Sequence, residues 1–369
     1  MKRLLFILLT SALLFFLAEG LCSVMYVAHA VLFSRPLPRQ LHSKYDANLG
    51  WVSVPNYYSP NFYGPGIFLR TNAEGFRGRE NVTASTPPGH LRVICSGDSF
   101  TFGYGVDDNH TWCHLLNTID HRLETVNMGQ PGYGIDQAYL WYRRDGAVLQ
   151  HDVHVFGVIT DDFRRMRIEM SSGYGKPVLH VKNDQLITTN IPVPQFSPVW
   201  RNLLGSAMTE LRSVSLLTSI AHREFPVRPT LAGPTKLDRL LLSKMIADLT
   251  QVNKEKNSKL VVVYLPSKGE YHNTGATAPW RRLLKEEATQ SGVIFIDLVA
   301  AFQELSPEKV DSMFICADSL EYFAAATGHL TDDGNAYVAQ NIYRKLVSVP
   351  DITAKLNSLS DRGMAARAY

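Results

Sequence analysis

Between residues 91 and 347 the chain alternates five short apolar runs with longer stretches of helical periodicity, and this rhythm limits the fold more than any other feature. The runs cover 93–95, 125–128, 154–159, 259–265 and 292–297. The first, Val93-Ile94-Cys95, is apolar throughout, as in a strand covered on both faces. A helix is expected from Asn109 or Thr111 onward, with Trp112, Leu115, Leu116 and Ile119 on one side. Further helices are expected over 135–149, 236–253, 280–291, 298–305 and 333–347. Strands joined through helices run parallel, so the expected fold is α/β: a doubly wound three-layer α/β/α sandwich around a five-stranded parallel sheet of flavodoxin-like order 2-1-3-4-5. Such sheets bind ligands at the C-terminal edges of their strands.

The residues that follow those strands carry the chemistry. Gly97-Asp98-Ser99 closes the first strand abruptly, placing a serine where it is exposed and rigid, as a nucleophile needs; the same tripeptide is also an ordinary turn. Asn127-Met128-Gly129-Gln130-Pro131-Gly132-Tyr133-Gly134 follows the second strand, and Thr160-Asp161-Asp162-Phe163 the third. Gly328-His329-Leu330-Thr331 precedes the last of these helices, and Arg70-Thr71-Asn72-Ala73-Glu74-Gly75-Phe76-Arg77-Gly78 lies ahead of the first strand. The Gly97–Phe100, Asn127–Gly134 and Gly328–Thr331 blocks, in that order and with Arg70–Gly78 ahead of them, resemble the SGNH (GDSL-type) hydrolase family, in particular its bacterial membrane-anchored members, over roughly residues 49–347.

The resemblance implies the same fold and a serine esterase. Ser99 would be the nucleophile and His329 the general base. The oxyanion would be held by the backbone N–H groups of Ser99 and Gly132, with an asparagine side chain as third donor. Asp161 stands at that third position, and an ionised carboxylate there repels an oxyanion, so it would have to be protonated to donate. The family also places an aspartate two or three residues before the histidine. Thr327 and Ala326 occupy those positions. Asp318, Asp332 and Asp333 are left as carboxylates to orient the imidazole, with a backbone carbonyl in a Ser-His dyad as the other arrangement.

Composition narrows the remaining classes. A chain of 369 residues that is 45% hydrophobic and 19% charged is globular, and a net charge of +3 gives no reason to expect nucleic acid. There is no zinc-type Cys/His spacing, no Walker loop and no dinucleotide fingerprint, so neither a metal nor a cofactor is expected. Of four cysteines, Cys22 lies in the N-terminal apolar run, which leaves three and implies no disulfide framework; a Cys113–Cys316 bridge stays open.

Residues 4–33 are almost continuously apolar after Lys2 and Arg3. About 20 apolar residues cross a bilayer, and a cleavable signal usually carries only about 7–15, so a signal anchor is the expectation. It would leave the body outside the cytoplasm: in a bacterium, a single-pass inner-membrane protein facing the periplasm. The expected divisions are an anchor over 1–33, a linker and packed extension over 34–90, a hydrolase domain over 91–350, and a polar tail over 351–369. An insertion at 164–234 would carry a hairpin at 177–188 and a helix at 200–222, as a lid or wall near the site or as an embellishment. The expected substrate is an acylated carbohydrate or another ester, with water or a sugar hydroxyl as acceptor. The rivals are a glycan-binding protein that has lost catalysis and a lysophospholipase.

Overall fold

The structure, a computed structural model, describes residues 2–33, 42–171, 174–194, 211, 213–214, 232–316 and 323–365. The chain divides into two compact units, one formed by 1–41 with 194–230 and the other by 42–193 with 231–369. In the first, α1 (Lys2–Phe33) is one apolar helix, and its Lys2–Met25 stretch is long and apolar enough to cross a membrane. A signal sequence shares those features. Glu19, the one acidic residue in that helix, accepts the backbone N–H of Ser213 at 3.1 Å. Apart from 211 and 213–214, the helix expected over 200–222 lies outside the described residues.

The second unit opens with two antiparallel hairpins, β1 (Ser43–Asp46) with β2 (Gly50–Ser53) and β3 (Tyr58–Gly64) with β4 (Ile67–Arg70). Within the linker and packed extension expected over 34–90, residues 43–70 are thus ordered hairpins rather than irregular chain. Leu49, Trp51 and Val52 are buried in the main core, so the aromatic content of this stretch belongs to the interior.

Five parallel strands follow: β5 (Leu91–Gly97), β6 (Leu123–Gly129), β7 (Val153–Val158), and later two more. Between them lie the single-turn α2 (Ser99–Phe102), α3 (Trp112–Ile119) and α4 (Ile135–Trp141). The helix expected over 135–149 ends at Trp141 and passes into a wide turn at Tyr142–Gly146. After β7 come α5 (Thr160–Met166) and a hairpin, β8 (Val178–Lys182) with β9 (Gln185–Thr189). Asn183 and Asp184 at its turn take φ of 50° and 62°, the left-handed pair that a two-residue hairpin loop demands.

The rhythm resumes with α6 (Lys236–Glu255), β10 (Lys259–Tyr264), α7 (Thr274–Gln290), β11 (Ile294–Asp297) and α8 (Leu298–Gln303). It closes with α9 (Asp332–Leu346) and α10 (Pro350–Ala365). The sheet order is β11-β10-β7-β5-β6, which is 2-1-3-4-5 when the five strands are numbered along the chain.

Alternation within the strands builds a core on each face. Val93, Cys95, Val155, Val261 and Val263 pack on one side with α3, α9 and α10; Ile94, Phe156, Val158, Val262 and Tyr264 pack on the other with α4, α6 and α7. Cys22, Cys95, Cys113 and Cys316 are all unbridged, and Cys113 is buried while Cys316 is exposed. The expected fraying tail is also corrected. Residues 350–365 are helical because Ile352 and Leu356, four apart, share one face and bury it in the core. Leu356→Ala should therefore cost about 2–5 kcal/mol in denaturant unfolding, as for a buried leucine elsewhere; a change below about 0.5 kcal/mol, the usual size for surface positions, would mean the helix does not dock.

Candidate active site

Ser99 sits at the first turn after β5. Asp98 caps α2, its Oδ1 accepting the Phe100 N–H at 2.9 Å. The turn lies directly on the end of β6, and only glycine at 129 allows this, since a Cβ there would overlap the Phe102 amide. Downstream of Ser99 the buried Arg77 gathers the loop. It donates to the carbonyls of Phe102 at 2.9 Å, Gly103 at 2.6 Å and Val106 at 2.6 Å, and pairs with Asp108 at 2.9 Å. Ser99 is thus fixed on both sides and is 6% exposed.

His329 comes from 230 residues away in sequence, and its Nε2 lies 2.8 Å from Ser99 Oγ. Its loop is stitched to residues 313–315 by backbone bonds, Ile315 N–H to His329 O at 2.8 Å and Thr331 N–H to Met313 O at 2.9 Å. Asn335, fully buried on α9, braces the loop by donating to Thr331 O at 3.0 Å and accepting the Trp112 N–H at 3.1 Å. The imidazole lies between the rings of Phe100, at 4.9 Å, and Tyr104, at 5.2 Å. Its Nδ1 is 3.1 Å from the Ala326 carbonyl. A carbonyl oxygen can only accept, so Nδ1 carries the proton and Nε2 is left to accept from Ser99.

No described carboxylate takes the orienting role. Asp332 faces His110 at 3.9 Å, and Asp333 pairs with Lys309 at 3.2 Å. Both sit on the first turn of α9, and neither hydrogen-bonds the imidazole; Asp318 lies outside the described residues. Asp161 is likewise not a buried acid aimed at Ser99. Its side chain is 53% exposed and pairs with Arg164 at 3.3 Å and Arg165 at 3.6 Å.

On the oxyanion side, Gly132 has φ +81°, a left-handed conformation suited to glycine. Among the described residues neither the Ser99 nor the Gly132 N–H donates a hydrogen bond. The Gly132 loop is clamped by the N-terminal hairpin: Trp51 Nε1–H donates to Pro131 O at 3.0 Å, Tyr133 O–H donates to Trp51 O at 2.5 Å, and Ser53 O–H donates to Gln130 Oε1 at 2.8 Å.

Sequence reading missed Arg165. Its Nη1 donates to Asp98 Oδ2 at 3.2 Å, Asp162 Oδ1 at 2.9 Å and Tyr133 O at 3.0 Å. Ser99 Oγ lies 3.3 Å from that same Asp98 Oδ2. Burial, with the Asp98 charge beside it, pushes the Asp162 carboxyl well above the usual carboxylate range. The only signal in the sequence was the four-residue spacing from Asp161 on a helix that opens at a strand end.

A second serine–histidine pair marks the contrast. Ser96 Oγ is 2.7 Å from His154 Nε2, with the Asn253 amide 3.3 Å from Nδ1, but Ser96 is 1% exposed and His154 wholly buried beneath the stacked Tyr142 ring. No substrate reaches it.

No family model matches the chain, and no curated protein matches it. Among solved structures it is similar to a lipolytic protein of the G-D-S-L family from Veillonella parvula, at 12% identity over 71% of this chain and 98% of that one, with a TM-score of 0.38. It is similar to a lipase/acylhydrolase from Enterococcus faecalis at 12% identity, 69% and 95% coverage and a TM-score of 0.39. An acetylxylan esterase from Geobacillus stearothermophilus gives 12% identity, 70% and 94% coverage and a TM-score of 0.37. With scores this low, the functional reading rests on the geometry around Ser99.

Burial holds the His329 imidazole below its ordinary value of 6.5, outweighing the upward pull of the Asp98 charge and the Ala326 carbonyl; Arg165 adds to the depression. The accepting, neutral form therefore persists below pH 6.5. A proton-carbon NMR titration should place the His329 midpoint below 6.5, and Asp98→Asn should move it lower still; a midpoint above 6.5 would refute burial as the dominant influence.

Proposed function

We propose that the chain is a serine ester hydrolase of SGNH type that works through a Ser99–His329 dyad. The observation that carries this reading is the 2.8 Å separation of Ser99 Oγ and His329 Nε2, with the Ala326 carbonyl behind the ring. Ser99 Oγ attacks the ester carbonyl carbon while its proton passes to Nε2, and the carbonyl electron pair moves onto oxygen as the oxyanion. Collapse re-forms the C=O bond and expels the alcohol, which takes the proton from Nε2 and leaves an acyl-Ser99. Water, or a sugar hydroxyl in a transfer reaction, then repeats the sequence in reverse. No metal or cofactor enters these steps.

The aspartate of a full triad does two things: it fixes the tautomer and it stabilises the imidazolium. The Ala326 carbonyl supplies the first and little of the second. This predicts a working but slower enzyme. Ser99→Ala should lower turnover of p-nitrophenyl acetate on the order of 10³-fold or more, while equal rates in the two proteins would retire the hydrolase in favour of a glycan-binding protein.

For the substrate we favour an O-acetylated carbohydrate outside the cytoplasm, with the enzyme held at the membrane by α1. Support comes from the rings on the histidine side, where the leaving alcohol must sit. Tyr104 contacts Phe323 edge-on at 5.2 Å, and half-buried Phe323 continues to Phe62 at 5.4 Å with the rings tilted, an apolar aromatic wall beside the imidazole. The C–H face of a sugar ring packs on such a wall. Turnover should fall steeply from p-nitrophenyl acetate to butyrate to octanoate; a preference for octanoate would identify a lipid-directed enzyme instead.

A further inference from the structure

We propose that Arg165 is a catalytic residue, its guanidinium supplying the third hydrogen bond and the positive charge that the oxyanion at Ser99 requires. The inference rests on the hydrolase reading above and deepens it. Arg165 lies where that donor is needed. Through Nη1 it joins Asp98, whose Oδ2 is also within 3.3 Å of Ser99 Oγ, to the carbonyl of Tyr133, the residue after Gly132. It therefore bridges the segments that carry the Ser99 and Gly132 N–H groups, neither of which donates elsewhere among the described residues. It reaches there from α5, whereas His329 reaches Ser99 from the loop before α9.

Its hydrogen-bonding capacity is not used up. The three acceptors within hydrogen-bond distance are all held by Nη1. Nη2 makes no hydrogen bond among the described residues, and the nearest carboxylate to it, Asp161, is 3.6 Å away. The side chain is 14% exposed, so the group is not sealed in the core.

The local charges also require it. Asp98 caps α2 immediately beside Ser99, and an uncompensated carboxylate there opposes any negative charge that develops on the substrate. Arginine stays protonated throughout the working pH range, so it cancels that charge without titrating. During attack the serine proton goes to His329 Nε2 and the negative charge to the carbonyl oxygen. Arg165 transfers no proton and only donates an N–H to the new oxyanion. Asp161, at the position the family gives to asparagine, then has a positioning role: one turn back on α5, it draws the guanidinium with a long 3.6 Å pairing.

The test compares full-length wild type with Arg165→Gln, Arg165→Lys, Arg165→Ala and Ser99→Ala on p-nitrophenyl acetate, with unfolding midpoints measured in parallel. Arg165→Gln should lower kcat about 10²–10³-fold, the usual effect of losing one oxyanion donor, with KM changed far less. Arg165→Lys keeps the charge beside Asp98 and loses the forked N–H, so it should fall at least about tenfold without a shift in the unfolding midpoint; this decides the matter if the glutamine variant fails to fold. Millimolar guanidinium should raise kcat of Arg165→Ala and leave Ser99→Ala unchanged. Wild-type kcat in Arg165→Gln or Arg165→Lys would overturn the proposal, as would a folded Arg165→Ala that guanidinium does not rescue. Turnover that survives Ser99→Ala would instead sink the hydrolase reading itself.

Discussion

The contact between His329 Nδ1 and the Ala326 carbonyl is the point on which the site depends. A histidine beside a serine is inert if its accepting nitrogen points the wrong way, and an imidazole in a loop can take either tautomer. A carbonyl oxygen 3.1 Å from Nδ1 removes the choice. That carbonyl also accepts the His329 backbone N–H at 3.0 Å, so the residue is gripped by one acceptor at two donors. The orienting partner is neutral, which leaves the imidazolium without the carboxylate that stabilises it in a full triad. The ion pairs nearby are gathered around Arg165, which pairs with Asp98 and Asp162, and burial pushes the Asp162 carboxyl above the usual carboxylate range.

The N-terminal extension is part of this machinery. Arg77 satisfies three carbonyls of the loop after Ser99 while stacking its guanidinium on Phe102 at 4.7 Å, and Trp51 holds the loop that carries Gly132. A buried arginine is tolerated only when each polar atom finds a partner, and the five-donor fork fits this loop closely. The extension thus ties both halves of the site to one scaffold, so residues 42–78 belong with the sheet in folding as well as in function.

Much of this was legible in the chain because the physics is local. A parallel strand covered on both faces must be apolar and must stop at a polar turn, which is how the five strands, their order and the placement of Ser99 and His329 could be read. The hairpins at 43–70 are not legible beyond a packed extension because such short strands carry no long period, although Trp51 and Tyr63 are core residues. The final helix is hard to read because Lys355, serines and aspartates dilute the face formed by Ile352 and Leu356, against which Leu359 also packs. The Ala326 carbonyl had no letter to betray it, since every residue has a carbonyl. Arg165 is not legible because its reach depends on a helical turn and a rotamer, whereas the sequence singles out Asp161, four residues before it.

Ser96 and His154 lie 2.7 Å apart, close to the 2.8 Å of the proposed Ser99–His329 dyad, with Ser96 three residues before Ser99. Two hydroxyl–imidazole couples therefore lie at the end of β5, Ser96 on the strand itself and Ser99 on the turn beyond it, and the Ser96 couple is the sealed, dry one. The dry couple has its own amide clamp and a phenol ring for a roof. Truncating Tyr142 would take the stacked ring off His154, and it is the single change that would let water in on this inner pair.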